Sequence, residues 1–217
     1  MSTVKLNNYT KKIKQKIILD NINFEFKPGK IYGLYGRNGS GKTMLLRAIA
    51  GLIFPTEGTV IIDNKILHKD ISFPQNLGII IENTNLLPEY DGFTNLKILA
   101  KIRDVATDED IKDAIKKVGL DPESKMKVNE YSLGMKQRLS IAQAIFENPD
   151  LLLVDEPTNA LDEDSIQTVR NIFLEMNKKG VTIIIASHNK EDLKVLADET
   201  ISMRDGQIVE NKETIIA

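Results

Sequence analysis

Gly36-Arg37-Asn38-Gly39-Ser40-Gly41-Lys42-Thr43 fits the pattern G-x-x-x-x-G-K-[ST] without a mismatch. The residues before it, Ile31-Tyr32-Gly33-Leu34-Tyr35, are an apolar run that predicts a short buried strand. Those after it, Met44-Leu45-Leu46-Arg47-Ala48-Ile49-Ala50-Gly51, predict a helix stopped by a glycine. Each residue type has a mechanical reason to be there. Glycines let the backbone curl until successive N–H groups converge on one point at a helix N-terminus, which makes a nest for an anion. Lys42 adds a mobile positive charge for the outer phosphates, and the Thr43 hydroxyl is a ligand for Mg2+. Strand, loop and helix together imply a nucleoside triphosphate site.

Working outward, the first thirty residues and residues 58–67 carry short apolar runs split by turn signals, and predict antiparallel strands. Leu77-Gly78-Ile79-Ile80-Ile81 predicts another buried strand. Residues 85–130 change character and become helical. Within them, residues 94–103 place Leu96, Ile98, Leu99 and Ile102 largely on one face. Thr107 precedes Asp108-Glu109-Asp110, so a capping residue and a first turn of acids start a helix that Gly119 ends. Strand–helix alternation then returns, with Leu151-Leu152-Leu153-Val154 and residues 181–186 as buried strands around a helix over residues 163–179. Asp205-Gly206 predicts a closing hairpin. The expected fold is α/β: a phosphate-loop core with a mostly parallel sheet, an N-terminal antiparallel β part, and a helical insertion. One domain is expected, divided into residues 1–84, 85–130 and 131–217.

A phosphate loop implies a nucleotide but not what becomes of it. Leu151-Leu152-Leu153-Val154-Asp155-Glu156 adds the chemistry, because a buried strand that ends in two acids projects them from the carboxyl edge of the sheet. Asp155 is placed to hold Mg2+, and Glu156 to polarise the attacking water. His188 follows the strand over residues 181–186 and emerges at the same edge, whereas His68 has no such context. Asp162, in Asn159-Ala160-Leu161-Asp162, reads equally well as a site residue and as a simple helix cap.

Tyr131-Ser132-Leu133-Gly134-Met135-Lys136-Gln137-Arg138 opens a helix and contains no obvious acid, base or nucleophile. It resembles the signature loop of the ATP-binding cassette (ABC) proteins. The order of phosphate loop, Glu82 loop, signature, Asp155-Glu156, Asp162 loop and His188 is similar to that family over essentially the whole chain. The resemblance implies a Mg2+-dependent ATPase, with Glu156, His188 and Lys42 acting on the γ-phosphate and with Thr43, Asp155 and Glu82 around the metal. It also implies head-to-tail pairing with a second copy or a homologous cassette, each ATP lying between one subunit's phosphate loop and the other's Ser132, Leu133, Gly134 and Met135, with Asp162 in the pocket of its own phosphate loop. The membrane would be crossed by separate permease subunits, with the chain on its cytoplasmic face.

Three departures stand out. Ile13 occupies the place where the family usually stacks an aromatic on adenine, with Tyr9 as a substitute on the same hairpin. Glu82 stands where glutamine is usual. Leu133 and Met135 replace the commoner glycine and glutamine. Glu82 and the Tyr-Ser-Leu-Gly-Met signature resemble the bacterial bacitracin, lantibiotic and multidrug efflux branch.

The bulk properties agree. At 217 residues the chain is long for one domain and short for two. A formal net charge of -2 argues against nucleic acid held by a general positive field. The lysines at positions 11, 12, 14 and 16 read as a solvated hairpin edge, since no aromatic ladder accompanies them. No cysteine is present, which excludes disulfides and thiolate metal sites, and no apolar run approaches the length of a membrane span. The competing readings are a soluble cassette ATPase acting on ribosomes or DNA, and a small-molecule kinase. The first is disfavoured by the single cassette and the charge, and the second leaves Tyr131 to Arg138 without a purpose.

Overall fold

The computed structural model describes residues 2–82 and 85–209. In chain order the elements are β1 (Val4–Ile13), β2 (Lys16–Phe26), β3 (Ile31–Tyr35), α1 (Lys42–Ile49), β4 (Glu57–Ile62), β5 (Lys65–Ile66) and β6 (Leu77–Ile80). Three helices follow, α2 (Gly92–Arg103), α3 (Asp108–Lys117) and α4 (Leu133–Ile145). The chain continues through β7 (Leu151–Asp155), α5 (Glu163–Lys178), β8 (Thr182–Ser187), α6 (Lys190–Leu196), β9 (Glu199–Arg204) and β10 (Gln207–Val209).

The continuous apolar runs become the middle of a six-stranded sheet in the order β10-β9-β3-β8-β7-β6. Pairing is parallel from β9 through β6, and only the β10 hairpin is antiparallel. Because side chains alternate across a strand, the sheet sorts its residues into two cores. Ile31, Ile183, Ile185, Leu152 and Val154 join the helical side, which includes Leu96, Ile115 and Leu139. Tyr32, Leu34, Ile184, Leu151 and Leu153 face α1 and a four-stranded antiparallel sheet, β2-β1-β4-β5. Apolar side chains of α2 and α3 run into the first core without a break, so α4 joins the helical segment to the sheet.

The register sets the site. Tyr35 pairs with Ser187 and Asp155 with Ala186, so β3, β7 and β8 end level at one edge. The phosphate loop, Asp155-Glu156 and His188 leave the sheet there together.

Two expectations are corrected. On α2 the buried residues are Gly92, Asn95, Leu96 and Ala100, while Ile98 and Ile102 are 37% and 77% exposed. The Asn95 amide ties down the preceding loop through Leu87, Tyr90 and Asp91, which turns that polar residue inward and the isoleucines outward. Tyr9 cannot stack on a base, because it is fully buried in the second core. A bulge on β1 around Asn8, whose φ is 47°, shifts the alternation and sends Tyr9 to the inner face. Burial pushes its hydroxyl pKa up to about 12.

Candidate active site

The phosphate loop joins β3 to α1. Gly39 and Gly41 have φ of 81° and 105°, in a region that side chains rarely adopt. A Cβ on Gly36 would lie 2.5 Å from both the Met203 carbonyl oxygen and Ser40 Oγ, so the loop closes only with glycine there. Helix α1 starts at Lys42 with no side-chain cap, which leaves its first turn to an anion. The Lys42 ammonium folds back over the loop and donates to the Gly36 carbonyl at 2.7 Å and the Arg37 carbonyl at 3.4 Å. Ser40 Oγ is buried without a hydrogen-bond partner. An orphaned hydroxyl, a bent-back ammonium and an uncapped helix start fit a triphosphate. Asn38 stands exposed at the mouth of the loop. Gly206, in the β9–β10 turn, donates from its N–H to the Ser40 carbonyl and braces the loop from behind, a role no sequence motif announces.

The Thr43 hydroxyl donates to Asp155 Oδ2 at 2.6 Å, joining the start of α1 to the end of β7. Burial pushes the Asp155 carboxyl pKa above its ordinary value, with the Thr43 hydrogen bond pulling it down and the Glu156 charge adding to the rise. Such a carboxylate gains from a cation. These are hard oxygen donors, and among the described residues no group of three or more His, Cys, Asp or Glu forms a metal cage. A small protein donor set completed by phosphate oxygens and water suits Mg2+.

Glu156 follows with φ of 47° and turns its carboxylate toward the β8 end. It accepts from the His188 N–H at 2.9 Å and the Ser187 hydroxyl at 3.2 Å, and lies 2.8 Å from His188 Nδ1. An ionised carboxylate only accepts, so Nδ1 is the donor in this contact. The expected catalytic pair is thus brought into contact. A missed network stands behind it. Asp192 on α6 is buried and accepts from the Thr158 hydroxyl at 2.7 Å and from Arg170 at 2.5 Å, linking the loop after Glu156 to the helix after His188.

Glu82 lies just beyond β6, at the same sheet edge, and pairs with Arg47 of α1 at 2.7 Å. Ser132 caps α4 by accepting from the Met135 N–H at 3.1 Å, and Leu133 beside it is 69% exposed. Gly134 packs under the Ala160 carbonyl, where a Cβ would come within 3.1 Å. Asp162 caps α5 by accepting from the Ser165 N–H at 2.9 Å. Ile13 sits at the β1–β2 hairpin tip, 45% exposed, away from the other site residues in sequence but open to a base. His68 stacks on Phe54, with its Nε2 3.2 Å from the Ile53 carbonyl oxygen, and takes no part in the site.

A family model described as ABC transporter matches residues 19–159. The chain belongs to that family. It is 57% identical over 213 residues to an uncharacterized ABC transporter ATP-binding protein, YybJ of Bacillus subtilis (strain 168), covering 98% of this chain and 97% of the relative. The bacitracin transport ATP-binding protein BcrA of Enterococcus faecalis is 38% identical over 209 residues, covering 95% of this chain and 68% of the relative. The lantibiotic transport ATP-binding protein SrtF of Streptococcus pyogenes is 35% identical over 211 residues, with 97% and 90% covered. Among solved structures, the ABC cassette MJ0796, a dimer in a post-hydrolysis state bound to ADP and Pi, superposes with a TM-score of 0.87 at 27% identity, over 99% of both chains. The present ABC cassette is therefore an ATP-binding, ATP-hydrolysing subunit of the transporter type. A soluble cassette acting on ribosomes or DNA is not favoured by relatives named for transport.

Proposed function

We propose that the chain is the ATP-driven motor of an exporter for a peptide antibiotic, drug or other small molecule. It works as a head-to-tail pair, on the cytoplasmic face of the membrane, against separate permease subunits. The observation that carries this reading is the division of the site. Lys42, Thr43, Asp155, Glu156 and His188 gather at one sheet edge, whereas Ser132 and the exposed Leu133 present a second anion-favouring helix start to solvent. A second copy would bring its Ser132, Leu133, Gly134 and Met135 to the first copy's triphosphate.

Within one site, Glu156 takes the proton of the attacking water while the His188 N–H and ring hold its carboxylate in place. Lys42 and the loop N–H groups gather charge that develops on the leaving phosphates. Thr43, Asp155 and Glu82 would hold Mg2+, which supplies charge neutralisation at the β- and γ-oxygens when bound. Ile13 would lie against the adenine. The names of BcrA and SrtF support the transport role and the antibiotic class of cargo.

Among the described residues no helix is long and apolar enough to cross a membrane. For docking we favour α2 and the loop before it. Leu86 and Phe93 pack inward, while Leu87, Ile98 and Ile102 are exposed. Positions 83 and 84 of that loop lie outside the described residues.

Complementation tests the pairing. Lys42→Ala and Ser132→Glu chains are each expected to be nearly inactive. Mixed, they form pairs with one intact composite site, restoring about a quarter of the sites overall. A mixture no more active than its components would overturn the shared-site arrangement.

A further inference from the structure

Arg47 follows Thr43 by one helical turn on α1, so the two side chains share a face. That face makes two links to neighbouring strand ends. Thr43 donates to Asp155 after β7, and the Arg47 guanidinium reaches Glu82 Oε2 after β6 at 2.7 Å. Ile80 pairs with Val154, so Glu82 and Asp155 follow neighbouring parallel strand ends at the same sheet edge. Glu82 therefore stands near enough to a bound triphosphate to repel it, unless something cancels the charge. The Arg47–Glu82 pair is open to water, with the side chains 33% and 60% exposed, so it is held weakly and exchanges partners readily. Glu82 also has φ of 57°, a left-handed conformation outside the regular strand.

We propose that Arg47 is a positioning residue that holds Glu82 and cancels its charge until a divalent cation arrives with the nucleotide, whereupon the carboxylate exchanges the guanidinium for the metal. The site then greets metal-free nucleotide and metal-bound nucleotide with different charges. The inference rests on reading Thr43, Asp155 and Glu82 as the surroundings of Mg2+ and ATP. Losing Arg47 alone leaves a bare carboxylate beside Asp155, which penalises nucleotide without metal and spares nucleotide with it.

The test is calorimetric binding of the β,γ-imido analogue of ATP, with EDTA in one arm and Mg2+ in the other. In Arg47→Met the EDTA-arm Kd is expected to rise on the order of tenfold, as for one uncompensated charge nearby. The Mg2+-arm Kd should stay within about twofold of the parent. Arg47→Lys, which keeps the charge, should restore the parent ratio. In a Glu82→Gln background, Arg47→Met should leave the ratio of the two arms unchanged, because no carboxylate remains for the metal to claim. Equal shifts in both arms with Glu82 present, or an Arg47→Met change in their ratio that persists in the Glu82→Gln background, overturn the proposal. An analogue that fails to bind the parent chain in either arm would instead refute the reading of the site itself. Thermal melting of each variant separates these outcomes from loss of the fold.

Discussion

Replacing Glu156 with glutamine keeps the side chain's shape and removes its ability to take a proton. Glu156 accepts from the Ser187 hydroxyl at 3.2 Å and the His188 N–H at 2.9 Å, with the His188 ring nitrogen at 2.8 Å. A glutamine oxygen can keep both His188 donors, and its amide can donate to the Ser187 oxygen. The structural loss is then at most about one hydrogen bond, ~1 kcal/mol, so the fold survives. The chemical loss is larger. A positioned general base contributes roughly 10^2–10^4-fold, equivalent to ~2.7–5.5 kcal/mol of barrier. Phosphate release at saturating ATP should fall by at least roughly a hundredfold, while ATP affinity measured by calorimetry on the same preparation is retained. With hydrolysis blocked, a paired species should accumulate in light scattering. Turnover close to that of the parent, with binding intact, would refute the assignment of Glu156 as base. Lost binding would place Glu156 in the nucleotide cradle instead.

Other substitutions probe the supports of the site. Arg170→Met strands the Asp192 carboxylate, whose side chain is 4% exposed; calorimetric unfolding should show a loss of ~3–5 kcal/mol, whereas Arg170→Met with Asp192→Leu should recover much of it. Burial holds the folded Asp155 pKa above its ordinary 3.8, so the folded state binds the proton more tightly and Asp155 costs stability as pH rises through that raised value. Asp155→Asn should therefore stabilise the nucleotide-free protein at neutral pH in denaturant titrations, with the gain vanishing below pH 3.8; a gain that grows on acidification refutes this. Ile13→Tyr at the exposed hairpin tip should tighten ATP binding by ~1–3 kcal/mol without altering the affinity for inorganic triphosphate, and equal tightening of both ligands would move Ile13 away from the base.

The parts legible in the sequence are those where chemistry restricts the residue type. Gly39 and Gly41 were readable because a phosphate nest demands left-handed backbone, and Asp155-Glu156 because they end an uninterrupted apolar run. The Tyr9 misreading has a local cause: a bulge at Asn8 inverts the period of β1, and no propensity announces a bulge. On α2, helical periodicity counts apolar residues and overlooks an asparagine whose amide satisfies four backbone groups. Helix α6 escaped notice as seven mostly charged residues, too few for a periodic signal. The contacts of Arg47, Gly206 and Asp192 cross long stretches of chain, so nothing in their sequence neighbourhoods reveals them.

Gln137, one turn into α4, donates its side-chain amide to the Pro157 carbonyl at 3.0 Å, immediately after Glu156. The outward face at Ser132 and the inward base are hence riveted by one amide within a single subunit. In the proposed head-to-tail pair, each polypeptide would lend Ser132 to the distant nucleotide and Glu156 to its own. Any shift of α4 in that pair would be felt, through Pro157, beside the Glu156 of the same chain, so the two pockets would not act independently.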